Sequence, residues 1–256
     1  MSEYHVNDDV WIRKLGAVTA SELAARYDVR KRTIPPSNGA DPTIYTIAFK
    51  PADGKTGIFR IHKSKYDASS CLYGFMQSEV DIRQRFYYPN IKKDDVIVDA
   101  GASWGPYTLP AGTLGCYVHC FEIERTIAGE LQDNVTLNNL EHRVTINTLG
   151  LSNDNYCIDW DEVKAAQFIK LDDYVLPKLD FVKLDVEGME LMALEGAKEY
   201  LVKYKPKLQI EVHLHYNKAL MRKVTEFLLN NVSDKYQREE MPLTDTVVTA
   251  LFKTTD

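Results

Sequence analysis

A doubly wound α/β fold built on one mostly parallel sheet is what this 256-residue chain predicts. Three observations carry the prediction. From residue 94 onward, short apolar runs alternate with helical stretches, the pattern of βαβ units whose strands are buried on both faces. The first of these runs, Val96-Ile97-Val98, closes on Asp99 and a glycine-bearing turn. Carboxylates then stand at or near the ends of three later runs, as Glu122, Asp185 and Glu211.

Taken in order, the predicted strands are Val96–Val98, Tyr117–Phe121, Val144–Leu149, Phe181–Leu184 and Leu208–Val212. The predicted helices cover about 106–113, 125–138, 188–203 and 217–231, with right-handed crossovers between parallel strands. Two further strands, at Tyr236-Gln-Arg-Glu and Thr246–Lys253, have no helix between them and predict an antiparallel pair at one edge. Residues 1–92 are less regular. Thr19-Ala-Ser-Glu22 reads as a capping box opening a helix through Tyr27, and Pro35-Pro36-Ser37-Asn38-Gly39 reads as a loop. Thr43–Phe49 and Gly57–His62 form a hairpin around Asp53-Gly54, and Ser70–Tyr88 is helical for part of its length. The expected organisation is a ligand-binding domain over 93–256. Residues 1–92 form a helical and β-hairpin extension of the same globule, covering the mouth of the site.

Bulk properties narrow the function classes. Hydrophobic residues make up 45% of the chain and charged residues 27%, which suits a folded soluble protein. A net charge of −6 gives no general attraction to nucleic acid or anionic membranes. Arg30-Lys31-Arg32 is a short basic run that reads as a solvated face. Cys71, Cys116, Cys120 and Cys157 contain no C-x-x-C pair and no zinc spacing, so reduced thiols are expected. No signal peptide and no apolar run of ~18 residues is visible. These features predict a cytoplasmic protein without a membrane span and without a nucleic-acid partner. Its oligomeric state is not legible.

Asp99-Ala-Gly101-Ala-Ser-Trp-Gly105 follows directly on an apolar strand. Glycines there let the backbone turn tightly and approach a ligand, and the next helix turns free N–H groups toward it. Glu122, at the tip of the following strand, is placed to accept hydrogen bonds from ribose hydroxyls. A dinucleotide fingerprint would read G-x-G-x-x-G. Here an acidic residue leads and no second glycine admits a pyrophosphate, which suits S-adenosylmethionine better than NAD. The alternative is an ordinary strand-to-helix turn.

The order of motifs resembles the FkbM family of S-adenosylmethionine-dependent methyltransferases. It runs from Val96-Ile-Val-Asp-Ala-Gly-Ala-Ser-Trp-Gly-Pro-Tyr-Thr108 through Cys120-Phe-Glu122, Leu149-Gly-Leu-Ser152 and Lys170-Leu-Asp-Asp-Tyr174. It continues with Phe181-Val-Lys-Leu-Asp-Val-Glu-Gly-Met-Glu190, Glu195-Gly-Ala197 and Pro206–Glu211. The likeness covers roughly residues 94–213. It implies a class I methyltransferase (Rossmann-like) fold, with seven strands of which the last is antiparallel. It also implies S-adenosylmethionine as cofactor and oxygen as nucleophile, with a small-molecule or glycan acceptor such as a sugar, polyketide, lipid or other metabolite. Ser103-Trp104 stands where such families often carry Asn, and Ile123 where Pro commonly follows the strand-end Glu. The cofactor-binding set expected on these grounds is Asp99, Gly101, Ala102, Ser103, Gly105, Tyr107, Glu122, Ile123, Leu151, Ser152 and Asp185.

Methyl transfer to a hydroxyl needs alignment and a destination for a proton. Asp185 ends the fourth apolar run, and Glu187 and Glu190 follow around Gly188. Gln209, Glu211, His213 and His215 share one face if the chain stays extended. Asp185, Glu187, Glu211 and His213 are therefore the catalytic candidates. Glu187 and Glu190 also read as acids favouring a helix N-terminus, and His213 reads equally as a structural residue. A divalent metal on Asp185 with Glu211 or His213 is chemically admissible, but the sequence does not require one and none is assigned. Asp172 and Asp173 belong to the resemblance without a chemical role of their own. Tyr73, Phe75, Phe86, Tyr87 and Tyr88, with Glu79, Arg83 and Arg85, either line an acceptor pocket or pack the N-terminal layer onto the sheet. Two rival functions stay open: a methyltransferase-like binding module without chemistry, and a nicotinamide-dependent oxidoreductase.

Overall fold

The computed structural model describes residues 29–33, 43–49, 57–62, 79–161 and 164–255. The N-terminal strands β1 (Val29–Thr33), β2 (Thr43–Phe49) and β3 (Gly57–His62) form an antiparallel sheet in that order. The expected β2–β3 hairpin is therefore present. The capping box at 19–22, the Pro35–Gly39 loop, and Tyr73 and Phe75 lie outside the described residues.

A short helix, α1 (Val80–Ile82), continues through a π-helical turn (Arg83–Tyr87) and a 3-10 turn (Tyr88–Asn90) into the main sheet. That sheet has seven strands. Introduced in chain order, they are β4 (Val96–Ala100), β5 (Tyr117–Phe121), β6 (Val144–Asn147), β10 (Phe181–Leu184), β11 (Lys207–His213), β12 (Tyr236–Pro242) and β13 (Val247–Thr254). Their spatial order is β12-β13-β11-β10-β4-β5-β6. From β6 to β11 every pairing is parallel, while β13 runs antiparallel to both β11 and β12. The predicted terminal pair thus sits at one edge, with the reversed strand β13 inserted inside β12. A smaller sheet, β7 (Gly150–Leu151), β9 (Lys164–Ile169) and β8 (Tyr156–Asp161), follows β6. Its β8–β9 hairpin was not expected from the sequence.

Helices cover both faces. On one, α2 (Thr108–Thr113) and α3 (Arg125–Leu137) pack with the hairpin residues Ile47, Phe49, Phe59 and Ile61. On the other, α4 (Glu190–Glu195), α5 (Lys198–Tyr204) and α6 (Leu220–Asn231) cover Val98, Val182 and Ile210. Two side-chain amides on α3 join hairpin to sheet: Asn134 Oδ1 accepts from His62 N and its Nδ2 donates to the Trp104 carbonyl, while Asn138 bonds both backbone groups of Arg60. The helix expected over 188–203 is instead two helices. The break falls at Gly196-Ala197, and the Asp172 carboxylate accepts from Glu199 N and Tyr200 N at the start of α5. Asp172 is therefore a helix cap reaching across from another segment, and Asp173 bonds Asn155 and pairs with Lys170.

Phe86, Tyr87 and Tyr88 are buried: Tyr87 meets Phe181 and Tyr107 edge-on, and Tyr88 meets Phe49. Of the two sequence readings, packing holds for this trio. Arg83 is buried against Glu79, and Arg85 pairs with Glu239. Cys116 and Cys120 are buried free thiols and Cys157 is an exposed one. No helix among the described residues is long and apolar enough to cross a membrane.

Two glycines give opposite expectations. A Cβ on Gly196 would sit 1.9 Å from the Ser152 carbonyl oxygen, whereas one on the exposed Gly129 of α3 would meet nothing within 4 Å. Gly196→Ala should destabilise by about 2–3 kcal/mol through forced displacement, and Gly129→Ala should stabilise by up to about 1 kcal/mol. Urea unfolding of both variants against wild type checks the pair.

Candidate active site

Strand order reverses at β4, whose neighbours β5 and β10 come from different crossovers. The carboxyl ends of these strands therefore open a crevice of the kind in which α/β sheets bind ligands. The β4–α2 turn lies in it. Gly101 (φ 73°), Ser103 (φ 48°) and Gly105 (φ 103°) are left-handed. At Gly101 a Cβ would fall 1.8 Å from the Asp185 carbonyl oxygen, so the turn passes against the end of β10. Glu122, at the end of β5, pins the turn from the other side. It accepts from Ser103 N at 2.8 Å and from Glu124 N at 2.9 Å.

Asp99 is fully buried. Its Oδ2 accepts from the Thr108 hydroxyl at 2.6 Å, while Oδ1 has no hydrogen-bond partner. Burial raises its pKa to about 6, against the opposing pull of Lys183 and Thr108. Lys183 is the residue opposite it on β10. The Lys183 ammonium donates to the Gly101 carbonyl at 3.1 Å and to Asp185 Oδ2 at 3.2 Å, and lies 4.0 Å from Asp99 Oδ1. Burial alone would lower its pKa, but Asp185 and Asp99 outweigh that and raise it. Lys183 was quoted within a motif at the sequence level without a role, yet it ties the glycine turn to the end of β10. A lysine inside an otherwise apolar strand buried on both faces was the available signal.

A second group lies at the ends of β10 and β11. His213 is buried, and its Nδ1 lies 3.2 Å from Oε1 of the fully buried Glu190. Its Nε2 faces Glu187 Oε2 at 3.4 Å, Glu211 Oε1 at 3.7 Å and Asp185 Oδ1 at 3.8 Å. The Glu190 hydrogen bond, opposed by burial and aided by Asp185 and Glu187, raises the His213 pKa to about 9. Burial and the neighbouring Asp185 raise that of Glu211 to about 8. The four catalytic candidates thus converge, and Glu190 joins them. The His215 ring meets His213 edge-on and lies tilted against Tyr216.

The remaining cofactor candidates divide. Ala102 is buried beneath the turn, and the Tyr107 ring lies buried 5.0 Å from the Lys183 ammonium. Ile123 reaches the backbone at Gly150. Leu151 is buried on β7, and the Ser152 hydroxyl is bonded to the Tyr156 hydroxyl at 3.2 Å.

Residues 159–236 match the methyltransferase FkbM domain. The chain's structure is similar to that of methyltransferase FkbM from Methylobacillus flagellatus KT, with a TM-score of 0.56 and 21% identity over 74% of this chain and 55% of that one. It is also similar in fold to the fibrillarin pre-rRNA processing protein of Methanococcus jannaschii, with a TM-score of 0.49 and 16% identity over 89% and 98% of the two chains. Over 88 residues, 32% of this chain and 19% of the relative, it is 30% identical to a tRNA (guanine(37)-N(1))-methyltransferase of Dictyostelium discoideum. The chain spans about half the length of the M. flagellatus protein and under a fifth of the tRNA enzyme.

Two outcomes follow from the buried charges. Lys183→Met leaves Asp99 and Asp185 without their cation and should cost about 3–5 kcal/mol in urea unfolding. The raised Asp99 pKa means that its contribution to stability is fully present below pH 3.8 and is lost as pH rises through about 6. Asp99→Asn should therefore gain up to about 3 kcal/mol relative to wild type between pH 4.5 and 7.5. A stability difference that stays flat over that range would contradict the assignment.

Proposed function

We propose that this chain is an S-adenosylmethionine-dependent methyltransferase acting on a hydroxyl of a small-molecule, sugar or lipid-type acceptor. The observation that carries the reading is the acid-led glycine turn at the sheet's switch point, held between Glu122 and Lys183. The residues present suit the cofactor. The turn brings backbone against the crevice without the second glycine that a pyrophosphate would need. Glu122 keeps lone pairs for a ribose diol beyond the two backbone N–H groups it already accepts. The surplus of carboxylates at the ends of β10 and β11 suits a ligand carrying an ammonium and a sulfonium.

The cofactor supplies a methyl group on a sulfonium, and in-line attack releases the neutral thioether. The protein's own residues do the rest. The glycine turn and Glu122 fix the donor's position, which supplies rate through orientation. Asp185, Glu187, Glu211 and His213 face the crevice from the neighbouring strand ends, and the exposed Glu187 among them takes the acceptor's proton. These carboxylates, on a chain of net charge −6, repel a phosphate backbone, which supports a small-molecule acceptor over a nucleic acid. Residues 93–256 form the cofactor-binding domain, and the β2–β3 hairpin packs onto its helices α2 and α3.

Calorimetric titration tests the reading. Wild type should bind S-adenosylmethionine with micromolar affinity, and Glu122→Gln should lose at least tenfold while keeping its circular dichroism spectrum. A folded wild type that binds NAD instead would favour an oxidoreductase, and tight cofactor binding that Glu122→Gln leaves unchanged would place the site elsewhere.

A further inference from the structure

We propose that Asp185, Glu211 and His213 hold a divalent cation at the carboxyl ends of β10 and β11, with Glu190 as the residue that orients the histidine. The three ligand atoms lie within 4.8 Å of one another. The ion's binding stands on this geometry alone; its use in activating an acceptor rests on the methyl-transfer reading above.

The tautomer argument comes first. Glu190 is fully buried, and its Oε1 accepts from Gly188 N at 3.0 Å as well as facing His213 Nδ1 at 3.2 Å. A carboxylate in that position can only accept, so Nδ1 carries the proton. Nε2 faces Glu187, Glu211 and Asp185. Carboxylate oxygens gathered around one point need positive charge among them; without a metal a proton on Nε2 supplies it, and a divalent cation takes that proton's place. A buried carboxylate behind a histidine whose far nitrogen meets further ligands is the arrangement that outer partners of metal sites adopt.

The distances agree. At 3.4–3.8 Å the Nε2 contacts are too long for hydrogen bonds. Ligands about 2.1 Å from one ion stand about 3.0 Å apart at a right angle and about 3.4 Å apart at the tetrahedral angle, widening as the angle opens. Asp185 divides its two oxygens between partners. Oδ2 takes the Lys183 ammonium, and Oδ1 faces the histidine. Asp185, Glu187, Glu190 and Glu211 thus bring four carboxylates to one imidazole, with Lys183 as the ammonium bonded to the group. Glu190 adds an independent sign, because its Oε2 is buried without a hydrogen-bond partner.

Two carboxylates and one imidazole suit Mn2+, with Mg2+ and Zn2+ as competitors. The remaining coordination positions face the crevice, where Glu187 is exposed. The acceptor class that fits is a molecule with oxygens on adjacent carbons, a vicinal diol or hydroxy-carbonyl, able to chelate the ion. Coordination lowers the hydroxyl pKa. The O–H bond breaks with its proton passing to Glu187, and the oxygen forms the new bond to the methyl carbon. The C–S bond breaks with its electron pair staying on sulfur.

The test is titration of the chelator-treated full chain with Mn2+, followed by loss of the free-ion electron paramagnetic resonance signal. One ion per chain is expected. Glu211→Gln and His213→Gln should each weaken binding at least tenfold, and Glu190→Gln about tenfold with unchanged melting temperature. The remote exposed variant Glu226→Gln should bind as wild type does. No depletion of the free signal at millimolar Mn2+, or depletion that the Glu211 and His213 variants leave intact, overturns the proposal. S-adenosylmethionine titrated into the same samples separates the two readings. Mn2+ binding without cofactor binding upholds the ion site and removes the methyl-transfer role, and cofactor binding without Mn2+ binding removes the ion alone.

Discussion

The Lys183 ammonium lies between carboxylates of β4 and β10 with only 3% of its side chain exposed, and such burial is tolerable only with its charge matched. That requirement reaches well beyond the ion pairs. The ammonium's third contact is the Gly101 carbonyl, so the position of the cation and the path of the glycine turn are set together. Asp99 is held in turn by Thr108 at the first position of α2. Sheet, turn and helix therefore share one charge balance, and the crevice inherits its shape from it.

Around this fixed point the site has two halves of different character. The turn and Glu122 form a neutralised, hydrogen-bonded cradle made largely from backbone. The ends of β10 and β11 form the reverse, a cluster of side-chain carboxylates around one imidazole with too few cations among them. The first half suits holding a ligand, and the second suits managing charge that appears or moves.

Much of this architecture was legible in the chain. The parallel strands are short and apolar because both faces are covered, and that pattern survives without knowledge of the partners. The terminal antiparallel pair could be read from the missing helix between 236 and 253. Asp99, Glu122, Asp185 and Glu211 were legible because carboxylates at the ends of apolar strands are conspicuous. Glu211 and His213 were brought together by period-two spacing, and Asp185 and Glu187 by their place at the end of the neighbouring apolar run. What escaped was whatever depends on contacts between distant segments. Lys183 looks like a lone charge in a strand until Asp99 is placed opposite it. The break at Gly196 is set by the Ser152 carbonyl, and the Asp172 cap joins residues 27 apart. The aromatic trio at 86–88 could have faced a ligand or a core, and only the position of Phe49, Phe181 and Tyr107 decides it.

The inserted strand β13 bears on how the molecule comes into being. A ribosome releases residues in order, and β11, with Glu211 and His213 near its end, emerges before α6, β12 and the strand that will lie beside it. Until residues 247–254 are free, one side of β11 has unpaired backbone groups and its apolar residues lack a neighbour. A nascent chain can close β4, β5, β6 and β10 early, but it carries an open, sticky edge until β13 has emerged. Chaperone contact with this protein should therefore concentrate on that edge and end when β13 slides into the gap.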